Sequence, residues 1–337
     1  MLKDFVIGPL DKNPGECSVC CPVLYEEARE QAYAEEKGYA EVFPRRVHKG
    51  NKKKHTEDLP GHIESLVEVP RKEQGSHKDV VASWAYHYKR KNWQRFAPFN
   101  YKGGFNEPYV LFKAKHVTCL KTREEKWRTA TRPIAPGAKH PMRRLLRLAG
   151  RAWYFMVKNY QGEHFAIQKT QDVPSEMGHM HSELSQCLGS EDTIQCVVKD
   201  IKGCYPNMPK GAIRTAMRNI AEELGKDYSG VLVPKRGHRQ PCVWKVRGGA
   251  LHERRCNKYV WMPFADLLDI AMFSLDHALI QKNGVLFRQI SGIPMGDPVS
   301  PAMTIGTCCW MERRWIGERS DEEKKFSERR DTWTIFC

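Results

Sequence analysis

Long apolar runs are missing from this chain. The best of them, Phe264 to Leu279, is broken by Asp266, Asp269 and Asp276, so no segment reaches the roughly 20 apolar residues that span a bilayer. The opening MLKDFVIGPLDKNPG lacks the apolar stretch of a secretory signal. Both absences predict an intracellular protein, nuclear or cytoplasmic, with no membrane partner. No internal repeat and no low-complexity linker interrupts the sequence, which excludes solenoids and flexible tethers. No nucleophile elbow accompanies the serines and histidines, so Ser-His-Asp hydrolysis has no support. The 12 cysteines have no secretory context and fit free thiols in a reducing compartment. Acidic charge is short: 40 Asp and Glu face 55 Lys and Arg, a net +15, and no two aspartates are adjacent anywhere. A surplus of that size favours a polyanionic partner, most often nucleic acid, with plain solubility as the simpler reading. What is present suffices for a packed core: 41% of the 337 residues are apolar and 10% aromatic.

Along the chain, residues 4–25 read as strand, Gly/Pro turn and strand, with a helix from Glu26. Residues 44–80 are polar and basic, densest at RRVHKGNKKKH, and predict an exposed loop or irregular helix. Residues 108–136 predict a second hairpin, PYVLFKAKHVTCL returning as RTATRPIAP. From Met142 a helix gathers Leu145, Leu146, Ala149, Trp153 and Met156 on one face, while Arg143, Arg147 and Arg151 recur every four residues as a basic stripe. TIQCVVKDI predicts a buried strand ending on Asp200. A helix through Ile213, Met217, Ile220 and Leu224 follows, then a basic strand-like stretch over 226–262. An amphipathic helix is expected over Phe264–Ile280, a strand at VLFRQ, and the loop SGIPMGDPVSP opens a last helix.

Two of these places carry chemistry. In Lys199-Asp200-Ile201-Lys202-Gly203-Cys204-Tyr205, an aspartate leaving a buried strand could hold a divalent cation, which phosphoryl transfer needs to offset charge on phosphate oxygens. Tyr205, five residues on, could fill the space of a ribose 2′-OH. A lone D-x4-Y is common by chance. About 90 residues later, the loop from Phe287-Arg288-Gln289 through Gly292-Ile293-Pro294-Met295-Gly296-Asp297-Pro298-Val299-Ser300-Pro301 allows close backbone approach at Gly292 and Gly296 and presents amides at a helix start. Its plainer reading is a tight structural turn.

Taken together and in this order, D-x4-Y and GIPMGDPVSP resemble motifs A and B of reverse transcriptases, above all of the Penelope-like group, relatives of telomerase. Leu10-Asp11-Lys12-Asn13-Pro14-Gly15 resembles that group's D-K-G fingers motif. Leu111-Phe112-Lys113-Ala114-Lys115-His116 and Arg132-Pro133-Ile134 resemble its P-K-x-H and R-P-I segments, and Asn207-Met208-Pro209 also fits. The likeness covers residues 5 to 315. It implies an α+β right-hand polymerase, with fingers over 1–160 and a partial palm over 161–337 built on an antiparallel sheet packed by helices. It implies RNA-directed DNA synthesis with Mg2+ or Mn2+, an RNA template, a DNA primer and deoxynucleoside triphosphates. Asp200 would be the catalytic carboxylate and, with the carbonyl of Ile201, a metal ligand. Tyr205, Gln289, Gly292, Pro294 and Gly296 would select nucleotide and sugar. Lys12, Lys113, Arg132, Arg143, Arg147 and Arg151 would meet phosphate or template.

There are departures. The family's aromatic-x-Asp-Asp element is missing, DTWTIFC at the end reads as the strand before it, and no thumb or nuclease follows, so the expectation is a truncated palm that is inactive by itself. The alternative is a nucleic-acid-binding remnant without catalysis. An RNA-dependent RNA polymerase is disfavoured, since a second aspartate would be expected where Tyr205 stands. Zinc at Cys17, Cys20 and Cys21 with His48 and His55 has poor spacing. His238, Cys242, His252 and Cys256 form a tidier set, read as a knuckle or as hairpin residues.

Overall fold

The structure is a computed structural model that describes residues 5–34, 37–42, 77–105, 107–113, 131–160, 171, 173–187, 203–235, 241–250 and 258–318. Two compact units emerge from its packing: Met1–Ala149 with Ile270–Ser300, and Gly150–Asp269 with Pro301–Cys337.

In the first unit, β1 (Val6–Leu10) and β2 (Asn13–Cys20) form the antiparallel hairpin, turning at Lys12 with φ 64°. Helix α1 (Pro22–Ala32) begins four residues earlier than Glu26, because Pro22 supplies the fixed φ of a first helical position and needs no N–H partner there. Strands β4 (Tyr109–Phe112) and β5 (Thr131–Ile134) are the second hairpin, with Leu111 opposite Arg132. Strand β3 (Tyr39–Glu41) pairs with β10 (Val285–Gln289), which pairs with β9 (Leu279–Lys282). Ala28, Tyr33, Tyr39, Val110, Phe112 and Ile280 close a core between these pieces.

A helix the sequence reading did not anticipate, α2 (His77–Arg90), buries Val81, Trp84, Ala85 and Tyr88. Trp84 is the hub of an aromatic cluster, meeting Phe105, His140, Phe273 and His277 at centroid separations of 5.1, 5.2, 5.3 and 6.0 Å. Edge-to-face rings at such distances add to ordinary apolar burial.

Helix α3 (Arg143–Lys158) buries the expected face, with Leu145, Ala149, Trp153 and Met156 at 0% exposure. Next come α4 (Val173–Cys187), a single turn α5 (Cys204–Asn207) and α6 (Lys210–Leu224), which buries Ile213, Met217, Ile220 and Leu224 as expected. The basic stretch is a sheet ordered β7-β6-β8, made of β6 (Tyr228–Pro234), β7 (Val243–Val246) and β8 (Tyr259–Pro263).

Helix α7 is Phe264–Asp276 and does not reach Ile280; Leu279 and Ile280 start β9, turned into β10 at Asn283-Gly284, both at positive φ. Helix α8 (Ser300–Gly317) ends the described chain. Within the second unit, Gly306 of α8 lies against Val157, Ile220 and Met217, and the Trp153 indole N–H donates to the Leu267 carbonyl at 2.9 Å. The expected strands at 193–201 and 331–337 fall outside the described residues. No helix among the described residues is long and apolar enough to cross a membrane.

Candidate nucleic-acid site

The turn of the first hairpin docks on the end of the second. The Asp11 backbone N–H donates to the Phe112 carbonyl at 2.8 Å, and Asp11 forms a parallel bridge with Lys113. Its side chain, 6% exposed, accepts from Arg132 of β5 at 3.1 Å. Lys12, Lys113 and Arg132 come from three separate segments, and all three are brought to Asp11: Lys12 as its chain neighbour, Lys113 through the backbone bridge, and Arg132 through its side chain. Asp11 stood inside the L-D-K motif without a role in the sequence reading. Its partner lies in a distant strand, so only the fold could assign one. An aspartate with so little water around it is costly unless paired, and Arg132 is the pair.

Strand β5 then runs into the glycine loop. The Ala135 N–H donates to the Met295 carbonyl at 2.7 Å. Gly296, at φ 123°, leaves no room for a Cβ, which would run into the carbonyl oxygen of Ala135. Gly292 is also left-handed, at φ 69°. On the other flank, the Ile290 N–H donates to the Gly38 carbonyl at 2.7 Å, and a side chain on Gly38 would collide with the Ser291 hydroxyl.

The loop's predicted residues divide into two kinds. Gln289 is 2% exposed, and its amide donates to the Ser291 carbonyl at 2.9 Å. Pro294 is buried, and its carbonyl accepts from the Ser300 hydroxyl at 2.7 Å. These two hold the loop from behind, while Ser291 and Gly296 lie on the exposed side. Asp297 accepts from Ser274 Oγ and from the Val299 N–H, both at 2.7 Å, and so caps the start of α8. Burial pushes its carboxyl above the ordinary range, against those two hydrogen bonds. Behind the loop lies a cavity of ≈ 40 Å3 bordered by His140, Ser274, His277, Gln289 and Asp297, room enough for water.

Of the arginine stripe, Arg143 donates to the Ala138 carbonyl at 3.0 Å and Arg147 is exposed. In the second unit, Arg151 donates to the Pro234 carbonyl at 3.1 Å. Tyr205 sits on the single turn α5, half-buried, just after Gly203 at φ 64°, where a Cβ would press on the Asn207 side chain. Asp200 and Ile201 lie outside the described residues. Among the described residues, no group of three His, Cys, Asp or Glu could hold a metal. Both oxygens of the Asp297 carboxylate are committed to Ser274 and the Val299 N–H. Cys17, Cys20 and Cys21 are free thiols. Cys242 donates to the Arg151 carbonyl at 3.8 Å, and burial raises its thiol pKa; His48, His55, His238, His252 and Cys256 lie outside the described residues.

No family model matches this chain, and no curated protein matches it. Among solved structures, it resembles a telomerase from Candida albicans in complex with a TWJ fragment of telomeric RNA. The TM-score is 0.51 at 10% identity, over 93% of this chain and 42% of that one. An apo telomerase from Candida tropicalis, truncated from its C-terminal domain, aligns over 53% of this chain and 30% of that one, at 14% identity and a TM-score of 0.30. The chain therefore spans less than half the length of the Candida albicans protein. At such identity the likeness is one of fold: a mixed α+β fold with antiparallel sheets, shared with a telomerase.

Proposed function

We propose that this chain forms the fingers and part of the palm of an RNA-directed DNA polymerase of the Penelope-like type. One observation carries the reading. The L-D-K turn, Lys113, the R-P-I strand and the G-I-P-M-G-D loop, dispersed over nearly 290 residues of sequence, join into one continuous piece of the first unit through Asp11–Arg132 and Ala135–Met295. Unrelated turns have no reason to meet in that way. The telomerase-like fold and the net +15 agree with it.

In this reading, Lys12, Lys113 and Arg132 draw template or triphosphate phosphates to the piece, with Arg147 and its neighbours extending the positive surface. Gly296, left-handed and exposed, keeps its part of the loop's backbone bare for the nascent base pair, while Gln289, Pro294 and the buried Gly292 hold the loop from behind. Asp200 and the Ile201 carbonyl would hold Mg2+ (or Mn2+), whose chemistry is to offset charge on the transferring phosphate. Tyr205 would exclude the ribose 2′-OH, which ribonucleotide against deoxynucleotide incorporation by Tyr205→Ala reads out. A second reading, nucleic-acid binding without catalysis, is favoured by the absence of adjacent aspartates from all 337 residues. Primer extension by the protein separates the two.

The test of the site itself is binding of a labelled RNA–DNA hybrid across a salt series. Lys12→Gln with Lys113→Gln should flatten the log–log slope by about 2, since each phosphate contact contributes about 0.9. An unchanged slope removes the turn from the interface and the reading with it.

A further inference from the structure

The outer side of helix α2 and the turn beside it carry a charge pattern that the polymerase reading does not use. Residues 80–106 contain five Lys or Arg, at 89, 90, 91, 95 and 102, and no Asp or Glu. All five are exposed. Like charges this crowded repel one another, and such a surface is ordinarily matched to an anion. Among the described residues, none of Lys89, Arg90 and Lys102 is paired with a carboxylate.

The two sides of α2 differ in kind. Val81, Trp84, Ala85 and Tyr88 are buried, and Trp84 meets His140, Phe273 and His277, which border the cavity behind the glycine loop. The outer side therefore looks away from that loop. It presents Tyr86, 65% exposed, with Lys89 and Arg90 three and four residues on, the spacing of neighbours on one helix face. A tied turn stands beside them, with Tyr101 and Lys102 as its central pair. The Gly103 N–H donates to the Asn100 carbonyl at 2.9 Å, and the Lys102 N–H donates to Asn100 Oδ1 at 3.2 Å. The turn is anchored by the Asn100 N–H on the Pro141 carbonyl at 3.0 Å and the Gly104 N–H on the Lys139 carbonyl at 2.8 Å. Tyr101 is 61% exposed and braced edge-on by Phe99 at 5.1 Å, which in turn meets Tyr88. The Lys89 ammonium lies 6.0 Å from the centre of the Tyr101 ring and so joins the helix face to the turn. Two open rings among cations without carboxylate partners have what single strands need: π-faces for bases and positive charge for the backbone.

We propose that this surface binds single-stranded nucleic acid, with bases stacked on Tyr86 and Tyr101 and phosphates on Lys89, Arg90 and Lys102. A membrane surface fits poorly, since these two tyrosines are the only exposed large apolar side chains among the described residues of 80–106, and no aliphatic stripe accompanies them. An exposed tyrosine is often mere surface. The pairing of two of them with one-signed charge, one on an anchored turn, is what separates these.

The experiment is fluorescence anisotropy of the full chain with labelled oligo-U and oligo-dT of about 16 nucleotides, a length that one such surface can cover. Tyr86→Ala and Tyr101→Ala should each weaken binding about tenfold with the salt slope unchanged, as loss of one stacked base predicts, while Tyr86→Phe and Tyr101→Phe keep most of the affinity. Lys89→Gln, Arg90→Gln and Lys102→Gln together should flatten the slope by about 2, at about 0.7 per contact on single strands. Loss with oligo-U alone would assign the surface to RNA through its 2′-OH, and loss with both oligonucleotides to the base and phosphate that RNA and DNA share. Parent-like binding by both tyrosine-to-alanine variants, or an unchanged slope in the charge variant, overturns the proposal. The Lys12→Gln/Lys113→Gln protein on the RNA–DNA hybrid is the reference. An effect there with none here leaves the polymerase reading standing and removes this surface, and the converse keeps this surface and removes that reading.

Discussion

Lowering the pH from 7 to 5 should destabilise the first unit through two buried histidines. Burial takes both His140 and His277 from the ordinary 6.5 down to about 4. The geometry supports the direction. His140 Nδ1 accepts the Met142 N–H at 3.1 Å, so protonation there would forfeit that bond. His277 is stacked on Phe273 at 4.1 Å and donates from Nδ1 to the Phe273 carbonyl at 3.0 Å. Around it, that bond and Asp276 favour the charged form, while His87 and Arg288 oppose it. Both folded values lie below the unfolded one, so the stability is present above pH 6.5 and is lost as pH falls toward 4. At pH 5 the unfolded chain is protonated at each site and the folded chain is not, a loss of about 2 kcal/mol per histidine. Asp297 works the other way: its raised carboxyl is better tolerated as pH falls. The contribution of Asp297 cancels when a variant is compared with its parent. Urea midpoints at pH 7 and 5 should show His277→Phe losing about half of the parent's pH sensitivity, and imidazole resonances should remain neutral through pH 5. Midpoints that fall in parallel, or imidazoles titrating near 6.5, would refute the reasoning.

Two further outcomes follow from the site. Gly296→Ala should cost about 2 kcal/mol or more, since strain at φ 123° adds to a collision with the Ala135 carbonyl, while Gly284→Ala, at φ 80° with open space around it, should cost about half that; denaturant midpoints compare them. Asp11→Ala and Arg132→Ala, measured singly and together, should show a coupling of about 1–3 kcal/mol, and additive effects would mean the pair is incidental.

Helices with clean apolar spacing were legible. Leu145 through Met156 and Ile213 through Leu224 are buried as the 3.6-residue period requires, and VLFRQ is the strand that it resembles. Helix α2 was not legible, because Trp84 and Tyr88 sit among polar residues and histidines whose partners, Phe105 and Phe273, arrive from far along the chain. The end of α7 was misplaced for another reason. Leu279 and Ile280 continue the apolar period, but Asn283-Gly284 is a hairpin signal, and pairing of β9 with β10 overrides helix continuation. At the site, the motifs could be located one by one. Their assembly could not, since Asp11–Arg132 and Ala135–Met295 are contacts between segments more than a hundred residues apart.

Strand β5 is only four residues long, and its two ends are committed to different neighbours: Arg132 to Asp11, and Ala135, one residue past its end, to Met295. Pro133 between them has no N–H to offer a further strand, so the segment cannot be rescued by pairing elsewhere. Adding or deleting one residue there would turn Arg132 to the opposite face and pull Ala135 off the loop at once. The spacing from Arg132 to Ala135 is therefore a measured gap, less tolerant of a change in length than of most changes in side chain. Variation in length along this part of the protein belongs before Thr131.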